Sequence, residues 1–425
     1  MRKPKLLFVW PFLPHLTSTG APMRAGMQIV ALAKIFDVTL AIVSDCIGDV
    51  DVEALLSDEV RNVCASIIVV DRVGTVERLL RCVHSLQLQL ILEALWPFPR
   101  WYTTMGPALN ALATQLAGQH FDVVHCSRLR TGRLSRLMKR HGIAVDRLVL
   151  DLDDYESQAI FRSVRPLVRV IGRQLAAARW LEAVKWVALE KLLIPRFDDV
   201  CVCSVADQAK LGRRFPRNRW HVLPNVAAEP PRAAARGHDP FTFLFVGQLS
   251  YPPNTDAVVF FCERILPLLR ERAPGPFRVL IVGRHPGRLA RLGSLANVEV
   301  IGNPPDVAPY YARSDAAVVP LRAGGGTRIK ILEAFSHGIP VVSTTIGAEG
   351  LDVTPGADIL VADDPESFAE QCRRLLTDEP LRRRIAAAGR LLWQRKYSPA
   401  ALDAALAAIY LGQRSEDVGE IAAVR

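Results

Sequence analysis

The stretch AGGGTRIKILEAFSHGIPVVSTT, from Ala323 to Thr345, concentrates the residues that could do chemistry. Three glycines and a threonine precede an apolar-periodic segment whose first turn carries Arg328 and Lys330. A helix N-terminus is the positive end of the backbone dipole, so each cation placed there costs about 0.3–1 kcal/mol. A bound anion offsets that cost. Gly324, Gly325 and Gly326 let backbone N–H groups approach a ligand with no Cβ between. Free N–H groups at a helix start form a ready anion site. Arg328 offers a planar fork to a phosphate and Lys330 a point charge. The pattern therefore points to a diphosphate. Glu333 follows Lys330 by three residues on nearly the same face. There it is either held by Lys330 or accepts bonds from sugar hydroxyls. The competing reading is a glycine-rich turn with solvated cations and a surface Lys330–Glu333 pair.

The elements that position these groups are legible nearby. Thr327 suits the N-cap, because its hydroxyl can accept from an N–H two or three residues on. The spacing predicts a helix over Arg328–His337, with Ile329, Leu332 and Phe335 or Ser336 on the stripe that meets a sheet. Gly338 fits the C′ position, Pro340 prevents continuation, and the strand PVVSTT follows.

The rest of the chain repeats that alternation. KLLFVW (5–10), VTLAIV, SIIVV (66–70), FDVVHC (121–126), RLVLDLD (147–153) and DVCVCS (199–204) read as strands, and a helix is expected from about Met23 to Phe36. Residues 224–240 carry four prolines and no hydrophobic period, and read as a linker. Five further β-rich runs follow, each ending in Gly, Pro or polar residues. Continuous apolar strands between helices mean an α/β protein with parallel sheets buried on both faces. The expected architecture is two Rossmann-like domains facing a cleft. They span residues 1–223 and 241–396, with a C-terminal helix at 397–425 returning to the first. Ligands in such sheets bind at the carboxyl ends of the strands, where these glycines cluster.

Composition narrows the class. Of 425 residues, 50% are hydrophobic, so the chain is globular rather than disordered. No window holds 18 uncharged apolar residues, which argues against a spanning helix. MRKPKLLFVWPFLPHL imitates a signal peptide, but its apolar run is short and proline-broken, so Lys5–Trp10 reads as a first strand. Eight cysteines without a C-x-x-C or a zinc spacing read as reduced thiols of a cytoplasmic protein. Residues 1–240 carry 32 Lys+Arg against 23 Asp+Glu, whereas 241–425 carry 21 against 20. Within 162–219 there are 13 basic and 5 acidic residues. Such a stretch suits an anionic partner. No helix-turn-helix, zinc-finger or RNP-type motif accompanies it, so no nucleic acid is expected. The segment 167–197 interleaves Trp180, Trp186 and leucines with Arg and Lys. It reads either as a helix lying on an anionic membrane surface or as an ordinary domain helix. In LDLDD (150–154) three aspartates invite a Mg²⁺ reading. A strand end with helix-capping aspartates is preferred, and no metal is expected.

GGGTRIKILEAFSHGIPVVSTTIGAEGL resembles the donor-site signature of family-four glycosyltransferases of the GT-B fold, in particular the branch associated with exopolysaccharide synthesis. FVGQLSYPPNTDAVVFFCERILPLL, FDVVHCSRL, VLDLDDYES and CVCSVADQAKL followed by VLPN extend the resemblance over nearly the whole chain. It implies transfer of a sugar from a nucleotide sugar to a glycan or lipid-linked acceptor, with retention and without a cofactor. His125 would face the transferred sugar, and Arg328, Lys330 and Glu333 would carry the donor site. Gly20, Gly247, Gln248, Asn254, Gly283, Arg284, Gly302, Asn303, Gly324, Gly325, Gly326 and Thr327 would line it. The chain departs from the pattern at three places. Gly325 stands where many relatives have a first glutamate. Gln248 replaces an arginine, and YPPNTDA lacks the usual lysine. The charge must then come from Arg328 and Lys330. A nucleotide-sugar epimerase and a catalytically silent binding protein are the alternative readings.

Overall fold

The computed structural model describes residues 2–16, 20–44, 55–71, 96–153, 155–230, 240–324 and 328–412. The chain divides into two units, Met1–Pro224 with Asp403–Arg425, and Asn225–Leu402. Each holds one sheet and its own apolar core.

The first unit has seven parallel strands: β1 (Lys5–Trp10), β2 (Asp37–Ser44), β3 (Ser66–Asp71), β4 (His120–Ser127), β5 (Ala144–Asp151), β6 (Asp199–Val202) and β7 (Arg219–Val222). Their order is β3-β2-β1-β4-β5-β6-β7. Strand β1 is central and solidly apolar, with Leu6 to Trp10 all buried, because helices cover both faces. Helix α1 (Ala21–Leu32) follows β1, starting and ending earlier than the expected Met23–Phe36. Gly20 is its N-cap at φ +66°, a left-handed conformation that glycine adopts without steric cost.

The helical segment α2 (Glu156–Leu193) reverses direction within its length. A straight helix of 38 residues would span about 57 Å. Yet Ser157 N–H donates to Glu190 Oε1 at 3.3 Å, and the Phe161 and Trp180 rings sit 6.3 Å apart. The segment is thus a helical hairpin. It runs on to β6, then to α3 (Val205–Arg214), capped by Ser204 Oγ accepting from Asp207 N–H.

The second unit has six parallel strands: β8 (Phe241–Val246), β9 (Phe277–Gly283), β10 (Val298–Gly302), β11 (Ala316–Val319), β12 (Val341–Ser343) and β13 (Leu360–Val361), in the order β10-β9-β8-β11-β12-β13. Helix α4 (Pro252–Phe260) follows β8, and α5 (Ile329–Ser336) lies between β11 and β12. The two-residue β13 was too short to announce itself in the sequence. The expected linker also begins too early. Val226 and Ala227 are buried in the second unit, where Ala227 N–H donates to Tyr397 O at 3.1 Å. Helix α6 (Pro399–Leu411) ends the described chain, and its residues from Asp403 onward belong to the first unit.

Candidate active site

Helix α5 begins one residue later than the sequence suggests. Arg328 is the N-cap, at φ −83° and ψ 78°, without a side-chain cap. Gly325, Gly326 and Thr327, the expected cap, lie outside the described residues. Gly338 takes the expected left-handed turn at φ +61°, its N–H donating to Phe335 O at 2.8 Å. The buried stripe is Ile331, Leu332, Ala334, Phe335 and Ser336, while Ile329 is only half-buried.

Lys330 projects from the first turn toward β8 and α4. Its Nζ donates to Asn254 Oδ1 at 2.7 Å and stands 4.2 Å above the centre of the Phe245 ring. Asn254 Nδ2 in turn donates to Gln248 O at 2.9 Å, which fixes the amide with its oxygen toward the lysine. Burial, then the neighbouring Arg328, lowers the Lys330 ammonium to about 7, with Glu333 opposing. This amine gains from any anion brought against it.

The glycines here make room for protein atoms. A Cβ on Gly247 would lie 2.8 Å from Asn254 Nδ2 and 3.0 Å from Lys330 Nζ. A Cβ on Gly283 would sit 1.7 Å from Gly247 O, so that position admits no side chain. Gly302 is closed by Pro286 Cγ at 2.8 Å. Asn303, at φ +54°, accepts from His285 N–H at 2.9 Å, and its own N–H reaches Gly283 O at 2.9 Å. The Arg284 carbonyl accepts from Leu249 N–H at 2.9 Å. The carboxyl ends of β8, β9 and β10 thus bring Gly247, Gln248, Asn254, Gly283, Arg284, Gly302 and Asn303 into one neighbourhood with Lys330.

Glu333 does not pair with Lys330: no ion pair within 4.0 Å joins them. Its Oε2 accepts instead from the Tyr311 hydroxyl at 2.8 Å, a partner the sequence did not suggest. Tyr311 is 2% exposed and stacks on His337, with centroids 5.0 Å apart and planes at 15°. Burial raises the Glu333 carboxyl, against the Tyr311 hydrogen bond and Lys330, and Asp306 adds to the rise. Arg328 is buried, with Nε and Nη2 each 3.4 Å from Ile346 O. Gly324, at φ +125°, lies against it: a Cβ there would be 3.2 Å from Arg328 Nη1. The arginine thus lies packed against Gly324.

In the first unit His125 departs from expectation. It is 0% exposed, so its ring has no face open to a ligand. Phe8 stacks on one side, with centroids 4.7 Å apart, and Nδ1 lies 2.5 Å from the Tyr410 hydroxyl on α6. Burial lowers its imidazolium to about 4, against Asp151, with Arg24 adding to the drop. The neutral ring is a strut between β4 and the C-terminal helix. The aspartates after β5 do not cap a helix either. Asp151 accepts from Arg24 Nε at 2.8 Å, Arg24 Nη2 at 2.7 Å and Gln28 Nε2 at 2.9 Å. Asp153 accepts from Arg128 Nη2 at 2.6 Å. The N-cap of α2 is Tyr155, with no side-chain cap, and Asp154 lies outside the described residues. Both described carboxylates accept hydrogen bonds from arginines.

The basic stretch is partly spent on the fold. Arg147, Arg219 and His221 converge on the fully buried Asp199 at 2.6, 2.8 and 2.7 Å. Burial would raise that carboxyl, but hydrogen bonds from Arg219, His221 and Arg147 hold it well below the usual range. Arg214 meets Glu190 Oε2 at 3.2 Å and the Tyr155 hydroxyl at 2.9 Å. Trp186 is core, whereas Trp180, Leu181 and Val184 are exposed. Among the described residues no helix is long and apolar enough to cross a membrane.

The family model for glycosyl transferases group 1 matches residues 240–378, which hold Lys330, Glu333, Asn254 and Tyr311. Residues 240–378 are thus similar to the group 1 glycosyltransferases. The chain is 28% identical, over 218 residues, to the lipopolysaccharide core biosynthesis mannosyltransferase LpsB of Rhizobium meliloti, covering 47% of this chain and 60% of LpsB. It spans 19% to 64% of the length of the curated relatives it matches. Sucrose-phosphate synthase from Thermosynechococcus elongatus superposes with a TM-score of 0.68 at 17% identity, over 96% of this chain and 99% of that one. Anabaena HepE, solved with UDP-glucose, superposes with a TM-score of 0.54 at 14% identity, over 96% and 100%. The fold is that of the GT-B glycosyltransferases. Within residues 240–378, Tyr311 escaped sequence reading because a tyrosine in the five-residue helix Ala308–Ala312 has no period to mark it.

Proposed function

We propose that the chain transfers a sugar from a nucleotide-diphosphate sugar to a glycan or lipid-linked acceptor, with retention, in cell-surface or exopolysaccharide synthesis. The carrying observation is Lys330. It is a half-buried cation on the first turn of α5, held by Asn254 and Phe245 at the carboxyl edge of the sheet. In the reaction the bond from the anomeric carbon to the diphosphate oxygen breaks, and its electron pair stays on the diphosphate. A bond to an acceptor hydroxyl oxygen forms, and its proton passes to the departing diphosphate oxygen. Charge therefore grows on the diphosphate, where Lys330 and the α5 N-terminus offset it. Arg328, packed against Gly324, adds positive potential. Glu333 takes donor hydroxyls. The group 1 glycosyltransferase match and the mannosyltransferase relative support this reading, which needs no cofactor or metal. Retention rests on the family resemblance alone.

Titration calorimetry with UDP, GDP, ADP and dTDP tests the donor site. Turnover of the matching nucleotide sugar with and without acceptor glycans tests the reaction. Sugar conversion without acceptor would identify an epimerase, and binding without turnover a silent binding protein. The product's anomeric configuration, read by NMR, tests retention. We place the enzyme in the cytoplasm, peripheral at an anionic membrane, because Trp180, Leu181 and Val184 are exposed on the basic unit.

A further inference from the structure

Lys330 and Glu333 pose a physical puzzle. They carry opposite charges one helical turn apart in a poorly solvated site, yet no ion pair within 4.0 Å joins them. At such spacing an i, i+3 pair closes readily: Arg179–Glu182 and Arg373–Glu370 both do so in this chain, at 2.5 and 2.8 Å. Each group is instead drawn aside by a neutral donor or acceptor. The Asn254 amide oxygen takes the ammonium at 2.7 Å, and the Tyr311 hydroxyl takes the carboxylate at 2.8 Å.

Both clamps are themselves fixed. Asn254 is buried and anchored through Nδ2 to Gln248 O. Tyr311 is buried and stacked on His337, and its hydroxyl also lies 3.3 Å from Lys330 O. The charged groups near the pair are few. Arg328 precedes Lys330 on its own segment, and Asp306 lies toward Glu333 from the loop after β10. Phe245, Asn254 and Gly247, which face Lys330 from β8 and α4, are neutral.

We propose that Tyr311 and Asn254 are positioning residues that hold Glu333 and Lys330 apart, so that one ligand with an anionic and a hydroxyl-bearing part can bridge them. This rests on the donor-site reading for its ligand, a nucleoside diphosphate whose phosphates meet Lys330 and whose ribose meets Glu333. The clamps themselves exist without it. Closing the pair would neutralise both contacts before the donor arrives, so the clamps keep the empty site competent.

Tyr311→Phe removes only the hydroxyl from a stacked ring. Glu333 is then released toward Lys330. Two measurements test this. The first follows the Lys330 Nζ signal by NMR against pH in the ligand-free protein, assigned with Lys330→Arg. Burial and Arg328 lower the wild-type ammonium to about 7, the reference for this comparison. In Tyr311→Phe it should rise by at least about one pH unit, as expected for an ammonium that acquires a carboxylate. Tyr311→Phe with Glu333→Gln should abolish the rise. An unchanged or lowered midpoint in Tyr311→Phe overturns the proposal. The second measures the Kd of UDP and GDP at pH 7, which should weaken about 10- to 100-fold in Tyr311→Phe, the loss expected for a contact to a charged group. Full affinity in a variant whose Lys330 has shifted also overturns it. If the wild type binds no nucleoside diphosphate, the donor reading fails, while the ligand-free titration still decides the clamp.

Discussion

Gly247→Ala separates function from folding at one atom. The added Cβ would lie 2.8 Å from Asn254 Nδ2 and 3.0 Å from Lys330 Nζ. Both are the far ends of side chains, so they yield before the backbone does. Gly247 is not in the left-handed region, so alanine meets no conformational strain there. The fold should therefore lose no more than about 1 kcal/mol, as for an ordinary tolerated substitution. The bond from Lys330 to Asn254 is charge-assisted and worth about 1.5–3 kcal/mol. Displacing the ammonium should weaken nucleoside diphosphate binding by about ten- to a hundredfold. Thermal melts and calorimetry on the same samples read both quantities. Gly283→Ala is the contrast: its Cβ would meet Gly247 O, a backbone atom, at 1.7 Å, so it should fail as a fold. A Gly247→Ala protein that melts normally and binds with wild-type affinity would refute the reasoning.

Other outcomes follow from the same geometry. Glu333→Gln should fold normally yet lower turnover and donor affinity, and normal turnover with the true donor would make Glu333 a structural partner of Tyr311 only. Nucleoside diphosphate affinity should fall by up to about tenfold per pH unit above about 7, since the free Lys330 amine loses its proton there and must regain it to bind. A flat profile from pH 7 to 9 would contradict this. Asp151→Asn removes the paired carboxylate of the buried Arg24, with Asp153 remaining at 3.8 Å, and should cost about 3 kcal/mol in urea unfolding, against near-neutral effects at exposed aspartates. The folded Asp151 carboxyl is lowered overall, because Arg24, His125 and Gln28 outweigh its burial. Its stabilisation is therefore complete above the ordinary carboxylate pKa of about 4 and is lost as pH falls through the folded value. Trp180→Glu with Leu181→Glu should abolish co-sedimentation with anionic liposomes at low salt without changing nucleotide affinity. Replacing Arg214 or Arg219 is a poor test, because Glu190 and Asp199 need them.

Much of this architecture is written in local sequence. Apolar runs such as Leu6–Trp10 and Phe243–Val246 are continuous because their strands are covered on both faces, and that pattern alone implies parallel sheets. The Arg328–Lys330–Glu333 spacing drew attention because cations at a helix start need a reason. What escaped was the long-range partner of each group. Tyr311 and Glu333 lie 22 residues apart, and Lys330 and Asn254 lie 76 apart. Only the fold brings them together. His125 was misjudged for the same reason: nothing near it in sequence foretells Phe8 and Tyr410 closing over the ring. The aspartates after β5 looked like caps or ligands because Arg24 and Gln28, on α1, were out of view.

The central claim is that the carboxyl edge of the second sheet binds a sugar donor through its diphosphate, with Lys330 as the decisive cation. Calorimetric titration of wild type and Lys330→Met with UDP, GDP, ADP and dTDP at pH 7 tests it most directly. At least one nucleotide should bind the wild type, and Lys330→Met should weaken that binding at least about tenfold, the scale of one charge-assisted contact. Wild-type affinity in Lys330→Met, or no binding of any of the four nucleotides to the wild type, would contradict it.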